Sequence, residues 1–519
     1  MKSCCCSIRW PSGKPILSDA GWRTVQYVWV SLLLASWSPL GLNADPGALD
    51  APIVRVVDLD IGETQQVELA NGERVQVKLI SVDEQRDSIV KAVRRAQVTV
   101  SVDGTEVELV SATYHLPITV GGVQIDCSIT GGYNSNGRPS SWGLDKDARL
   151  RLWPAGSPLI QPETFGYPAK QKWFATMTQM ANVPTYVDGG EDPQRTNIYY
   201  HSGLDIGGTE GKVEVVAATD GLVVSAGGDV LSGHKDDTPV APRYDVVYLR
   251  DQRGWYYRYS HLKEIDPEIK PGRLISRGSR IGLLGKEGGS GGWTHLHFEI
   301  KSRQPSGKWG TQAGYAFLWQ AYQQQYQPRI VAVARPHHFL LTGEDVVLDA
   351  SKSWAAAEGA LKYEWLLSDG TVELGDKIDR TYREAGSYSE IVKVTDVQGN
   401  TSYDFAIVQV VDSKETDRKP PTVHPTYYPT TGIRPGDRVT FTVRSFRTKV
   451  PKERWDFGDG SEPVEVQSDG NAEMHNPNGY AVTTHAFAKS GDYIVRVEST
   501  NEHDLKAVGH LHVHVDGPL

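Results

Sequence analysis

The sequence predicts a mainly β protein with several domains. Short runs of alternating apolar and polar residues recur along most of its 519 residues, and glycine-rich turn signals separate them. Two of these turns, Asn71-Gly72 and Asp103-Gly104, are residue pairs that favour tight β-hairpins. Only one stretch, 315–326, clearly has the spacing of a helix instead. A chain of this length is expected to form about three to five domains.

The first 44 residues have the pattern of a secretory signal peptide. Basic residues precede an apolar run at 28–34, and small residues then lead to Ala44 as the cleavage site. The apolar run is shorter than the roughly 20 residues of a membrane-spanning helix. We therefore predict an exported mature chain without a membrane span.

Residues 51–130 are predicted to form an N-terminal accessory β domain. Val67 should pair with Val75 across the first hairpin turn, and Val98, Val100 and Val102 should meet Val107 and Leu109 across the second. We find no catalytic set of residues there. The segment 131–192 is rich in proline and is predicted to be a linker that could cover part of an active-site groove.

Residues 193–327 are predicted to form a small β-sandwich or barrel that ends in a helix. Short valine-, leucine- and tyrosine-rich strands alternate with glycine turns between residues 211 and 285. In 315–326, aromatic and leucine side chains recur on one helical face, and Pro328 ends the helix. This stripe is predicted to pack against the β domain.

Four histidines and one aspartate of this region suit a catalytic zinc site. His295 and His297 alternate on a predicted strand, so both should point into one cavity. His201 and Asp205 lie four residues apart around a glycine-containing turn, and His261 follows another strand. Zinc binds imidazole and carboxylate, and a catalytic zinc keeps one position open for water. Three of the five residues could bind the ion, and two histidines would then remain to move protons or stabilise an oxyanion.

Together the motifs resemble those of the lysostaphin-type (LytM-like) zinc metallopeptidases, also called the glycyl-glycine endopeptidase family. The resemblance covers about 197–301. It implies that His201, Asp205 and His297 bind one Zn²⁺ per chain and that His261 and His295 assist catalysis. The motifs are His201-Ser-Gly-Leu-Asp205, Tyr259-Ser-His-Leu262, the Gly-rich stretch 288–292 and His295-Leu-His-Phe-Glu299. Ser260 stands where the family often has glycine.

The resemblance implies hydrolysis of peptide bonds by a zinc-activated water that two histidines assist. Substrates in the family are commonly peptidoglycan peptides, so we predict a bacterial metalloendopeptidase that is secreted or held in the cell envelope or periplasm. Two alternatives stay open. The chain could be a protease of Gly-rich proteins, or a non-catalytic envelope protein that uses a peptidase-like fold for binding or regulation.

The C-terminal regions 329–412 and 422–516 both resemble PKD-type domains, which are Ig-like β-sandwiches. The second contains Trp-Asp-Phe-Gly-Asp-Gly at 455–460, whereas the first departs from this motif at 365–370. Such modules are predicted to contact a polysaccharide or a protein, or to act as spacers. On the last strand, His510, His512 and His514 alternate, and we interpret them as a solvated face.

The charge pattern argues against nucleic acid as a partner. The net charge is −10, and the lysines and arginines are scattered without a basic stripe.

Overall fold

The computed structural model describes residues 51–111, 113–135, 141–181, 183 and 200–517, without the side chains of residues 134 and 135. The predicted signal peptide, 1–44, lies outside these residues. The described residues are mainly strands, as predicted, and all lie in the unit 48–519. Among them, no helix has the length and hydropathy needed to cross a lipid bilayer.

The N-terminal domain contains two four-stranded sheets. Val67 pairs with Val75, and Val102 pairs with Thr105, which confirms both predicted hairpins. Apolar side chains of the two sheets form one core. The elements are β1 (Arg55–Leu59), β2 (Thr64–Glu68), β3 (Arg74–Arg86), β4 (Val93–Val102), β5 (Thr105–Val110), β6 (Ile118–Val120), β7 (Val123–Thr130), α1 (Gly132–Ser135) and β8 (Ala148–Pro154). One sheet runs β2-β3-β4-β5 and the other β1-β8-β7-β6.

Strand β8 lies within 131–192, the segment that the sequence presents as a linker. It pairs with β1 and β7, so the N-terminal sheet continues beyond residue 130. The sequence does not indicate this strand, because Arg149 and Arg151 stand at alternate positions, as charged residues do on a solvent-exposed face. Both arginines are buried and pair with Asp58 and Asp126.

The peptidase-like region contains a large open sheet with a three-stranded sheet beside it. The elements are β9 (Thr178–Gln179), β10 (Leu204–Gly207), β11 (Glu214–Val216), β12 (Gly221–Ala226), β13 (Asp229–Val230), β14 (Val247–Arg250), β15 (Tyr256–Ser260), β16 (Leu262–Ile265), β17 (Leu274–Ile275), β18 (Arg280–Leu284), β19 (His295–Arg303), β20 (Trp309–Thr311) and α2 (Tyr315–Tyr326). The large sheet runs β13-β12-β14-β15-β19-β10-β9, and the small one runs β11-β18-β16. Among the described strands, neither sheet closes into a barrel.

The predicted helix is confirmed, and its aromatic face packs into the core of the peptidase-like region. Phe317 and Trp319 are buried there together with Phe298 of β19. Aromatic residues of the segment 131–192 join the same core, and Tyr167 and Trp173 are among those buried in it.

The two C-terminal modules are β-sandwiches that share a sheet. The strands are β21 (Ile330–Val331), β22 (His338–Leu341), β23 (Asp345–Asp349), β24 (Trp354–Ala355), β25 (Lys362–Leu366), β26 (Val372–Leu374), β27 (Lys377–Thr381), β28 (Gly386–Thr395), β29 (Thr401–Val411), β30 (Thr422–Tyr428), β31 (Val439–Phe446), β32 (Glu453–Asp456), β33 (Val464–Val466), β34 (Ala481–His485), β35 (Gly491–Thr500) and β36 (Lys506–Val515). The shared sheet runs β22-β29-β28-β36-β35-β32-β33. A bridge between Ser387 and Ala507 joins the modules.

The interpretation of the three histidines on the last strand as a solvated face is wrong for His510 and His512. His510 Nδ1 lies 2.9 Å from Ser389 Oγ of the first module, and His512 is buried with its Nε2 2.8 Å from Asp492 Oδ1. Only His514 is exposed. The contact between the two modules, which the sequence did not indicate, covers the other two rings.

Candidate metal centre and active site

Three neighbouring strands bring the separate motifs together. Strand β10 pairs with β19 so that Asp205 lies opposite His297, and β15 pairs with β19 so that Ser260 also lies opposite His297. His201 precedes β10 and His261 follows β15. The register of the sheet therefore places all five predicted site residues around the beginning of β19.

Three donor atoms from His201, Asp205 and His297 form a triangle. His201 Nε2 lies 2.9 Å from His297 Nδ1 and 3.1 Å from Asp205 Oδ1, and His297 Nδ1 lies 2.9 Å from the same oxygen. A tetrahedral zinc ion with bonds of about 2.0–2.1 Å keeps its ligand atoms about 3.3 Å apart. Two imidazole nitrogens and one carboxylate oxygen at this spacing fit one Zn²⁺. Within the described part of the chain, this is the one cluster of metal-binding side chains with three converging donors.

The second nitrogen of each imidazole faces an oxygen atom outside the triangle. His201 Nδ1 lies 3.3 Å from the Met180 carbonyl oxygen. Because a carbonyl only accepts, Nδ1 carries the hydrogen and Nε2 keeps its lone pair for an ion. His297 Nε2 faces Glu299 Oε2 at 4.0 Å, so Nδ1 is the nitrogen that meets Asp205. Such outer contacts fix the tautomer and orientation of metal-binding histidines.

Asp205 is a buried carboxylate surrounded by imidazoles. Burial would raise the pKa of Asp205, but His201 and His295 outweigh burial and hold that pKa well below its usual range. Burial would lower the pKa of His297, yet the Asp205 and Glu299 carboxylates raise it above the ordinary value. The Asp205 carboxylate therefore favours a positive charge among the three donor atoms. A metal cation bound there would displace the proton from His297.

His261 is held in an unusual backbone conformation beside the triangle. Its φ of +67° is left-handed, which costs a residue other than glycine on the order of 1 kcal/mol. Asp245 Oδ2 stabilises the turn by accepting the His261 amide at 3.0 Å. The ring Nδ1 lies 2.6 Å from the Glu287 carbonyl oxygen, so Nε2 of the neutral ring is free to accept a proton. Burial lowers the pKa of His261, which keeps the ring neutral near pH 7.

His295 lies next to His261, with ring centroids 4.6 Å apart. Its ring stacks on Trp293 at a centroid distance of 3.9 Å, and its Nδ1 lies 3.1 Å from the Trp293 carbonyl oxygen. The other nitrogen, Nε2, lies 3.4 Å from Asp205 Oδ2. Burial holds the pKa of His295 well below its ordinary value. Two neutral imidazoles therefore flank the triangle.

Glu299 is a supporting residue to which the sequence analysis gave no role, although it continues the alternation of His295 and His297 on β19. It is buried and accepts hydrogen bonds from Ser202 Oγ at 2.9 Å and Thr311 Oγ1 at 3.1 Å. Lys301 Nζ lies 2.6 Å from Glu299 Oε1. Burial would raise the pKa of Glu299, but Lys301 and then His297 hold that pKa well below its usual range.

We expect Glu299→Gln to destabilise the fold by about 3 kcal/mol, because removing one partner of a buried ion pair leaves the other charge uncompensated. Denaturant unfolding of the full chain measures this change. The control is Glu264→Gln, whose half-exposed side chain pairs with Arg280 and should contribute less than about 1 kcal/mol. Equal effects of the two substitutions would contradict the role given to Glu299.

All five predicted site residues are buried and expose only 2–7% of their surface. On one side, β9 pairs with β10 so that Gln179 lies opposite Asp205. The role of 131–192 as a groove cover stays a prediction. Several aromatic side chains of this segment, including Tyr167 and Trp173, belong to the peptidase core, so removing the whole segment is expected to unfold the region rather than to open the site.

Comparison with known proteins finds family models that match three regions of the chain. Residues 199–308 match the model of peptidase family M23, and residues 327–410 and 424–513 each match a PKD domain. One similar solved structure is the catalytic domain, as a point mutant, of the prophage-encoded M23 protein EnpA from Enterococcus faecalis. The two are 24% identical, over 24% of this chain and 85% of that one, with a TM-score of 0.17. Another is a PKD domain of an M14-like peptidase from a Thermoplasmatales archaeon, 20% identical over 18% of this chain and 94% of that one, with a TM-score of 0.14.

The chain therefore carries a LytM-type peptidase domain of family M23, followed by two PKD domains. This confirms the two resemblances that the sequence analysis stated, to this peptidase family and to PKD domains. Domains of these two kinds are typical of extracellular and envelope proteins.

Proposed function

We propose that this protein is a zinc metalloendopeptidase that hydrolyses peptide bonds in peptidoglycan peptides. One observation carries the proposal: three donor atoms lie within 3.1 Å of one another beside two further imidazoles. His201, Asp205 and His297 would hold the ion. When bound, Zn²⁺ would polarise the scissile carbonyl and make a water molecule more acidic.

The remaining residues would supply proton transfer and orientation. His261 presents an unprotonated Nε2 because its Nδ1 faces the Glu287 carbonyl oxygen. It can accept a proton from the attacking water and return one to the leaving amine. His295 lies 4.6 Å from that ring; it is neutral at rest, and once its Nε2 takes up a proton during the reaction it can stabilise the developing oxyanion. Asp245 anchors the backbone of His261 throughout.

The place of action follows from the same proposal. The M23 domain and the predicted signal peptide support a secreted or envelope enzyme of a bacterium, where peptidoglycan is found. The PKD domains are proposed to contact a polysaccharide or protein there.

The substrate assay compares peptidoglycan with a Gly-rich peptide, using the mature full-length protein. We expect cleavage of peptide bonds in peptidoglycan, loss of turnover after chelation, and recovery after one equivalent of Zn²⁺ is added. Mass spectrometry of the released fragments identifies the bond. Cleavage of the Gly-rich peptide alone would redirect the proposal to Gly-rich proteins.

Burial of the site favours a second candidate, a regulatory or binding protein with a peptidase-like fold. All five site residues expose 7% of their surface or less, so the described part of the chain leaves little of them for a polypeptide to contact in this conformation. This candidate predicts that zinc is bound but that neither substrate is turned over. Measurable turnover by the wild-type chain excludes it.

A further inference from the structure

We infer that the second PKD domain supports the active site. It anchors the loop 288–294 and thereby positions His295. This inference rests on the proposed function for its catalytic consequence, whereas the anchoring itself can be measured without turnover. Within the PKD domain, Tyr480 is the residue that anchors the loop closest to the catalytic histidine. It acts as a positioning residue, since it contacts the loop and not the reacting atoms.

Four side chains of the second PKD domain bond to the backbone of this loop. Tyr480 Oη accepts a hydrogen bond from the Thr294 amide at 3.0 Å, one residue before His295. Arg444 Nη1 donates to the Gly292 carbonyl oxygen at 2.6 Å, and Asn471 Nδ2 donates to the Gly291 carbonyl oxygen at 3.2 Å. His475 Nε2 lies 2.7 Å from the Gly288 carbonyl oxygen. The loop is therefore held at both ends and in its middle.

The anchor on the PKD side is itself rigid. The Arg444 side chain is fully buried, and its Nε and Nη2 each lie 2.7 Å from a different oxygen of Asp469. Its remaining hydrogens reach the carbonyl oxygens of Glu473 and Met474. A bidentate pair of this kind fixes the guanidinium in position as well as neutralising it. Arg444 thus transmits the position of the PKD domain to the loop.

The glycine at position 292 is explained by this contact. Its φ is +89°, and a Cβ atom there would collide with Asn471 Oδ1 of the PKD domain. The loop thus needs a residue without a side chain, so that the PKD domain can approach the backbone.

Contact continues from the PKD domain to the catalytic ring through Trp293. The Trp293 ring stacks on the His295 ring at a centroid distance of 3.9 Å, and it makes an edge-to-face contact with the His424 ring of β30 at a centroid distance of 5.5 Å. His424 and Trp293 are both buried. His295 is therefore fixed by its own strand on one side and, through Trp293, by the PKD domain on the other.

The test is Tyr480→Phe in the full chain, which removes one oxygen and leaves the Thr294 amide without its partner. The matched control is Tyr427→Phe, a buried tyrosine of the same domain whose hydroxyl donates to the His512 carbonyl oxygen at 2.8 Å, away from the loop. Hydrogen exchange followed by mass spectrometry measures the loop directly. Steady-state kinetics separate kcat from KM.

We expect exchange in the peptide that contains Thr294 to accelerate about tenfold in Tyr480→Phe and to stay unchanged in Tyr427→Phe. We also expect kcat to fall about tenfold in Tyr480→Phe, with KM and zinc content unchanged, because a small misplacement of a catalytic group is costly. Unchanged exchange in Tyr480→Phe would overturn the anchoring. Accelerated exchange with a kcat equal to that of Tyr427→Phe would overturn the positioning role.

The outcomes also separate this inference from the proposed function. If the wild-type chain shows no turnover on any substrate, the proposed function fails, but faster exchange in Tyr480→Phe still supports the anchored loop. If the wild-type chain cleaves peptides and both tyrosine variants behave alike in exchange and kcat, the inference fails while the proposed function stands.

Discussion

Asp205→Asn is expected to leave the chain folded but without its metal, and to lower the rate of peptide hydrolysis at least about 10³-fold. The substitution keeps the shape of the side chain and the pairing of β10 with β19. It removes the negative charge that His201, His295 and His297 surround. A neutral amide is a weaker ligand, and the site then loses the several kcal/mol of charge stabilisation that a bound ion supplies.

Elemental analysis of the purified variant measures the metal, and circular dichroism checks the fold. Asp236→Asn is the control, because Asp236 lies exposed in the loop between β13 and β14. It should retain one zinc and full turnover. A variant at Asp205 that keeps stoichiometric zinc and normal turnover would show that this carboxylate is not a ligand.

The second large effect is expected at His261. His261→Asn should retain one zinc per chain while kcat falls about 10²- to 10⁴-fold, which is the usual contribution of a general acid–base group. Asparagine is the suitable replacement because it tolerates the left-handed conformation at φ +67° better than most residues. The substitution therefore tests the imidazole rather than the backbone.

Zinc content and kcat are measured on the same preparation. His234→Asn serves as the control, since His234 contacts Tyr256 and takes no part in the site. We expect it to behave as the wild type. Loss of zinc from His261→Asn would make His261 a ligand instead of a proton carrier, and an unchanged kcat would remove it from the mechanism.

The strand pattern of the sequence predicted the position of most site residues. His295 and His297 alternate on a strand, and β19 confirms that both begin the same strand. The same alternation includes Glu299, and extending the pattern by one step would have found this buried carboxylate. The sequence could not show that Asp205 lies opposite His297, because that depends on the register between strands far apart in the chain.

Other features of the site depend on contacts that no local pattern encodes. The left-handed backbone of His261 gives no sequence signal, because most histidines, like most residues other than glycine, have a negative φ. Strand β8 was missed because Arg149 and Arg151 look solvent-exposed in the sequence, whereas each has a buried carboxylate partner. The anchoring of Thr294 by Tyr480 joins residues of two different domains. The motif of the PKD domain predicted a sandwich but not the surface that it would contact.

The central claim is that His201, Asp205 and His297 hold one catalytic zinc ion. It is tested most directly by measuring metal content and peptidoglycan cleavage on one preparation of the mature protein, before chelation, after chelation, and after zinc is returned, beside His297→Ala. We predict one zinc per chain with turnover, loss of both on chelation, recovery of both with zinc, and neither in the variant. Turnover that persists in the metal-free protein or in His297→Ala would contradict the account.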